Sequence, residues 1–177
     1  VHSIEADIFV QSTVNRAAIT LGGNFSKKER IEKLKEIASD TVDIDGIGYY
    51  TLGAYRKGIN DDQIKRYKIL FKSYFLISFS SRLAEYSNPE IEVTSKKIIN
   101  ENYTMVSSIL VATDKRPEVK IDWRIYTKNP ENPKIRDLII EGLSLARTQK
   151  EEFSSIIQSN DGDINALFNN LEKFINQ

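Results

Sequence analysis

Apolar residues recur at helical spacing along the first half of the chain. Over residues 6–21 the apolar positions are Ile8, Phe9, Val14, Ala17, Ala18 and Leu21, and Gly22-Gly23 ends the run. Ser26 followed by Glu29 has the form of a capping box. Ile31, Leu34, Ile37 and Ala38 then predict a second helix. Its Lys27, Lys28, Lys33 and Lys35 interleave with Glu29, Glu32 and Glu36, which describes a solvated face rather than a binding patch. Residues 43–53 read as a short helix with Gly53 just past its end. A long helix opens at Asp61 or Asp62, reaches about Tyr86, and stops before Asn88-Pro89. Ile64, Tyr67, Phe71, Tyr74 and Ser78 form one stripe on it, widened by Leu70, Phe75, Leu76, Ile77 and Phe79. Its middle is apolar nearly all round, so other parts of the molecule must cover most of its circumference.

The period then becomes two. Residues 90–99 and 103–113 predict two strands joined by a tight turn at Glu101-Asn102. In residues 118–126, Val119, Ile121, Trp123 and Ile125 alternate with Glu118, Lys120, Asp122 and Arg124. Asn129 to Pro133 forms a turn, and residues 135–141 predict a fourth strand. Short connections favour an antiparallel meander. Helix returns after Ser144, and Asp163 caps a last helix with Ile164, Leu167, Phe168, Leu171 and Phe174 on one face. Helices, a sheet, then helices again imply a single α+β domain over residues 1–177. A curved antiparallel sheet of about four strands would have helices packed on one face.

Composition narrows the chemistry. Lysines and arginines number 25 against 25 acids, so the basic excess of a nucleic-acid binder is missing. No cysteine is present, which removes disulfides, thiolate catalysis and cysteine zinc sites. The single histidine, His2, lies at the very start, a poor place for a catalytic triad or a histidine metal site. No stretch approaches the roughly 20 apolar residues needed to span a bilayer.

Three local patterns invite functional readings. Gly46-Ile47-Gly48 lacks the third glycine and the preceding strand of a dinucleotide loop, so packing of small residues between helices accounts for it better. Asp161, Asp163, Asn165 and Glu172 have calcium-loop spacing, but Ala166 stands where the loop needs glycine, which favours a helix cap. Asp137 and Glu141, four residues apart on a strand, sit about 13 Å apart, too far for a glycosidase pair. Asp137 alone could serve as the buried base of an apolar-pocket isomerase. A ligand-free interaction domain, with a fully packed core, is the third reading.

Two segments resemble a known family. One is Asp43-x-x-x-Ile47-x-x-Tyr50-x-Leu52-Gly53-x-Tyr55-Arg56; the other is Asp137-Leu138-Ile139-Ile140-Glu141-Gly142-Leu143-Ser144-Leu145, with Phe153 downstream. Their order and spacing are similar to those of the MlaC, or toluene-tolerance, family of periplasmic phospholipid-binding proteins. Tyr55 stands where that family usually has Trp, and Lys150 where it usually has Arg. The Trp usual just before the fourth strand is missing, with Pro133-Lys134 in its place.

The resemblance implies a non-enzymatic, periplasmic carrier with its signal peptide removed and no stable membrane insertion. It would need no cofactor beyond a bound phospholipid. It would shuttle that lipid between an outer-membrane lipoprotein-porin complex and an inner-membrane Mla-type ABC transporter, maintaining outer-membrane lipid asymmetry. The chemistry is compatible. Two long acyl chains left in water cost on the order of 20 kcal/mol, so a carrier needs a dry apolar pocket and few fixed charges. The expected wall is Val106, Ile109, Val111, Ile121, Trp123 and Ile125 on the sheet, with Phe71, Phe75 and Phe79 on the long helix. Tyr50, Leu52 and Tyr55 would line the mouth. Arg56 would pair with Asp137 or Glu141, or touch a lipid phosphate.

Overall fold

The computed structural model describes residues 3–177; His2 lies outside them. Six helices and five strands follow in the order α1 (Ala6–Gly22), α2 (Lys27–Thr41), α3 (Ile44–Thr51), a 3-10 turn (Gly53–Gly58), α4 (Asp61–Leu83), β1 (Ile91–Ile98), β2 (Tyr103–Leu110), β3 (Val119–Tyr126), β4 (Lys134–Ile140), β5 (Leu143–Ser144), α5 (Leu145–Gln158) and α6 (Ile164–Ile175).

The helices begin where side chains can satisfy orphan backbone N–H groups. Ser26 and Glu29 close a reciprocal capping box on α2, and Asn60 with Gln63 closes another on α4. The long helix thus opens at Asp61, as expected, with Asn60 as its cap. That helix ends at Leu83, three residues short of Tyr86, and Asn88 turns the chain with a φ of +46°. Asp43, Ser144 and Asp163 cap α3, α5 and α6. On α1 the buried positions are Ala6, Val10, Thr13, Val14, Thr20 and Leu21. Ile8, expected in the core, stands 62% exposed. The burial stripe runs through threonines that helical periodicity of apolar residues does not register.

The sheet is an open, curved, antiparallel meander in the order β1-β2-β3-β4-β5. The β1–β2 connection is longer than the expected two-residue turn. It runs from Ile99 to Asn102, and the Asn100 side chain accepts from the N–H groups of Asn102 and Tyr103. The two-residue β5 is a fifth strand, too short to leave a periodic signal.

Register decides what the sheet shows its helices. Val106 pairs with Trp123, Ser108 with Ile121, and Thr104 with Ile125, all on the buried side. A bulge at Arg136 changes the phase of β4, where Arg124 pairs with Asp137 but Ile125 with Ile135. Ile135 thus faces inward together with Leu138 and Ile140, which strict alternation would forbid. The bulge also directs Arg136 to Asp43, and the Asp43 N–H donates to the Ile135 carbonyl at 2.9 Å. One core cluster joins this inner face to α1, α3, α4, α5 and α6.

Both glycines of Gly46-Ile47-Gly48 are required by space. A Cβ on Gly46 would lie 2.9 Å from the Arg136 guanidinium carbon, and one on Gly48 would lie 2.7 Å from the Phe71 ring. The small-residue reading therefore holds for Gly48, where α3 meets α4, while Gly46 makes room for an ion pair. Replacing Gly48 with Val should cost about 1–3 kcal/mol through overpacking against Phe71. Urea denaturation would measure this; unchanged stability would mean the α3–α4 contact is looser than described.

Candidate functional site

The apolar stripe of α4 runs from core to surface. Tyr67 and Phe71 are 2% exposed, whereas Tyr74, Phe75, Leu76, Ile77 and Phe79 are only half buried. Phe71, Phe75 and Phe79 stand at i, i+4 and i+8 and form a ladder, with ring centroids 6.0 Å and then 5.3 Å apart. On the sheet the inner face shows a similar gradient. Val106, Ile121, Trp123, Ile125 and Ile135 are buried, while Ile91, Val119, Leu138 and Ile140 are half buried against the same cluster. The result is an apolar seam with a packed floor and a partly open end. Two shallow surface recesses, on α6 around Glu172 and on α1 between Ile8 and Ile19, are lined by none of these residues.

Polar atoms within the floor are satisfied. The Trp123 Nε1–H donates to Ser108 Oγ at 2.9 Å, and Ser108 donates to the Ile121 carbonyl at 2.7 Å. Thr51 donates to the Gly48 carbonyl at 2.6 Å and shares a 2.7 Å hydrogen bond with the Tyr67 hydroxyl. Each pair puts hydroxyls or an indole N–H in the interior without an unpartnered donor, so the floor stays apolar in effect.

The expected wall residues divide. Phe71, Val106, Ile121, Trp123 and Ile125 lie on the inner side, and Phe75 and Phe79 at the half-open end. Ile109 does not join them. It lies opposite Lys120 and Glu92, on the outer face, because β2 alternates without a break from Thr104 to Leu110. Val111 lies one residue past the end of β2. Leu52 is 1% exposed and belongs to the core rather than to a mouth. Tyr55 is half buried against that core, and Tyr50 is 38% exposed beneath Lys150, whose Nζ stands 5.2 Å from its ring centroid.

The carboxylates and Arg56 take other partners than expected. The Ser144 hydroxyl and, at 3.0 Å, the Ala146 N–H donate to the two oxygens of Asp137. Asp137 thereby anchors the start of α5 instead of presenting a base to a cavity. Glu141 accepts from the Lys120 N–H at 2.7 Å. Arg56 stacks over Tyr49, 5.1 Å from its centroid, and pairs with neither acid. Gly53, at φ +54°, lets the Lys150 stem lie across the backbone, and Gly142, at φ +82°, forms the β4–β5 turn. Among the described residues no cluster of His, Cys, Asp or Glu could hold a metal ion. In the calcium-spaced segment Asp163 caps α6 and Glu172 pairs with Arg66.

A family model for the MlaC protein matches residues 11–173. The chain belongs to the MlaC family. The fold agrees with that membership. A phospholipid-binding protein from Ralstonia solanacearum, solved in complex with a phospholipid, superposes with a TM-score of 0.81 at 20% identity, covering 98% of each chain. No curated protein matches the sequence. Among the described residues no helix of this MlaC-family chain is long and apolar enough to cross a membrane.

Sequence reasoning missed the inward-facing Leu138 and Ile140, because the bulge that turns them leaves no mark in the alternation. It also missed the open end of the sheet at Ile91 and Val119, where individual residues look like ordinary strand.

Burial pushes the Tyr67 hydroxyl well above the usual tyrosine value of 10.0. Burial, helped by the Glu152 charge, raises Tyr74 as well. Both groups hold their protons more tightly folded than unfolded. Their contribution is complete below pH 10 and is lost as pH rises from there toward the folded values. Stability should fall steeply in that window, and Tyr67→Phe should flatten the alkaline limb. Chemical denaturation at stepped pH would show it; parallel curves for the two proteins would contradict the placement of Tyr67.

Proposed function

We propose that this protein is a periplasmic carrier that holds a phospholipid by its acyl chains in the seam between α4 and the inner face of the sheet. The half-buried ladder end at Phe75 and Phe79 carries the reading. Large aromatic side chains left partly in water on an otherwise packed helix gain most when an apolar ligand covers them. Family membership and the phospholipid held by the Ralstonia neighbour support the same ligand class.

The floor of the seam is closed by side chains, so an occupied state has α4 and the sheet parted. Val106, Ile121, Trp123 and Ile125 would meet the chains deepest, with Leu138 and Ile140 nearer the opening. The head group stays in solvent and needs no dedicated charge. No step in binding or release requires a nucleophile, a metal or a histidine, and the protein acts as a binder rather than an enzyme. In its pathway it would take lipid from an outer-membrane lipoprotein-porin complex and deliver it to an inner-membrane Mla-type ABC transporter, or the reverse, and so maintain outer-membrane lipid asymmetry.

Native purification followed by solvent extraction and mass spectrometry should find phospholipid near one molecule per chain. Phe75→Asp with Phe79→Asp should lower that occupancy at least tenfold. Half-buried positions accommodate the charges in the empty protein, whereas a carboxylate against an acyl chain is strongly unfavourable. Ile109→Trp, on the outer face, should leave occupancy at the parent level. Lipid-free protein that also fails to take up phospholipid from vesicles would overturn the carrier reading. A loss confined to Ile109→Trp would move the site to the other face of the sheet.

A further inference from the structure

After its first turn α4 carries Lys65, Arg66, Lys68, Lys72 and Arg82 and no acid at all, in a chain whose total charge is zero. Arg66 is paired with Glu172 of α6. Lys65, Lys68 and Lys72 are exposed and form no ion pair among the described residues. They occur at i, i+3 and i+7, and therefore on one face. Ile69 stands among them, 71% exposed, among the most exposed large apolar residues of the molecule. At 100° per residue Leu76, Phe79 and Phe75 continue the same face toward the helix C-terminus. One side of α4 thus passes from an acidic first turn, Asp61 and Asp62, to a basic stretch from Lys65 to Lys72, and is apolar and half buried afterwards. The lysine stripe leads directly into the open end of the seam.

We infer that this stripe docks the protein on an anionic lipid surface, with the three lysines against lipid phosphates and Ile69 dipping between the head groups. Lysine suits this occupant better than it suits a protein partner. Interface cores between proteins are depleted in lysine, because its flexible stem must be immobilised and its ammonium stripped of water. At a lipid surface the stem lies along the apolar boundary while the charge stays among hydrated phosphates. An exposed isoleucine flanked by lysines has the pattern of an interfacial anchor. The contact is short-ranged. A chain of zero net charge feels little attraction beyond a Debye length of about 8 Å, so it leaves the membrane readily. The delivery of the open seam end to the bilayer rests on the acyl-chain reading above; the docking itself does not.

Flotation of the full-length protein with vesicles tests the inference. The protein should float with vesicles of phosphatidylglycerol and phosphatidylcholine at about 0.02 M salt, and separate from them at about 0.5 M, where screening is complete within a few ångströms. It should ignore vesicles of phosphatidylcholine alone. Lys65→Ala, Lys68→Ala and Lys72→Ala together should lower the partition coefficient about a hundredfold, at about fivefold per lysine. Ile69→Ser should weaken binding without changing its salt dependence. In the same triple variant, uptake of a dispersed short-chain phosphatidylcholine should equal the parent's, which also reports an intact fold. Protein that takes up the dispersed lipid but ignores anionic vesicles would overturn the docking and leave the carrier reading intact. So would a triple variant that floats like the parent. Protein that floats but takes up no lipid would do the opposite. Loss of binding to an acidic protein, with vesicle binding absent in the parent, would assign the stripe to a protein partner and likewise overturn it.

Discussion

The rest of the structure depends on how the apolar surface of α4 is shared out. This 23-residue helix is apolar around most of its middle, yet only Tyr67, Phe71 and Ser80 are fully buried. Full burial of a phenylalanine or leucine side chain is worth about 1.5–3 kcal/mol, so leaving four such residues half in water forgoes several kilocalories per mole in total. An apolar seam kept partly open at this cost is what the proposed acyl-chain ligand would fill. The gradient along Phe71, Phe75 and Phe79 gives that seam a direction, from floor to surface.

Much of this was legible in the sequence. The presence of the six α-helices and the four long strands follows from periodicity, and α2 and α3 begin at side chains whose local chemistry is decisive: Ser26 with Glu29, and Asp43 accepting from the Gly46 N–H. Phe71, Phe75 and Phe79 were legible as part of one broad apolar face of the long helix, though not as a stacked ladder. What escaped was phase. The bulge at Arg136 is a long-range compromise between the β3 register and the Asp43 ion pair, and nothing local to residues 134–140 encodes it. Ile109 was misplaced because both faces of β2 carry aliphatic residues, and only the pairing of Val106 with Trp123 says which looks inward. Arg56 and Asp137 lie in recognisable motifs, but their partners, Tyr49 and the start of α5, are fixed by tertiary packing.

Several residues in and around the motifs that resemble the MlaC pattern are structural joints. Asp43 caps α3 and holds Arg136; Gly48 admits Phe71; Gly53 admits Lys150; Asp137 anchors α5 through Ser144 and Ala146. These are geometric requirements with few chemical solutions, since a cap needs a short acceptor and a close approach needs glycine. The seam needs only apolar bulk, which many residues supply. Recognition of the family from the joints, and inference of the ligand from the seam, are therefore two separate arguments that meet in one fold.

The joints also say which elements can separate. Polar ties bind four helices to the sheet. Lys96 reaches Glu5, and Asp7 at 3.3 Å, while Gln11 accepts from the Val93 N–H, both on α1. Lys134 donates to the Asp40 carbonyl of α2 at 2.6 Å, Arg136 holds Asp43 before α3, and Asp137 holds α5. Among the described residues α4 has no such tie to the sheet. Its polar partners are on other helices: Tyr67 to Thr51, Arg66 to Glu172, and Tyr74 to Gln149 at 3.0 Å. α4 and the sheet share one apolar cluster and no polar tie among the described residues. Parting an apolar contact leaves no buried donor or acceptor unsatisfied, and acyl chains entering it would restore the same kind of surface that was lost. Parting α1, α2, α3 or α5 from the sheet would strand charges or backbone groups that a hydrocarbon chain cannot satisfy. The distribution of hydrogen bonds, as much as the aromatic ladder, therefore makes the α4 boundary one that can part without stranding polar groups, which the proposed carrier requires.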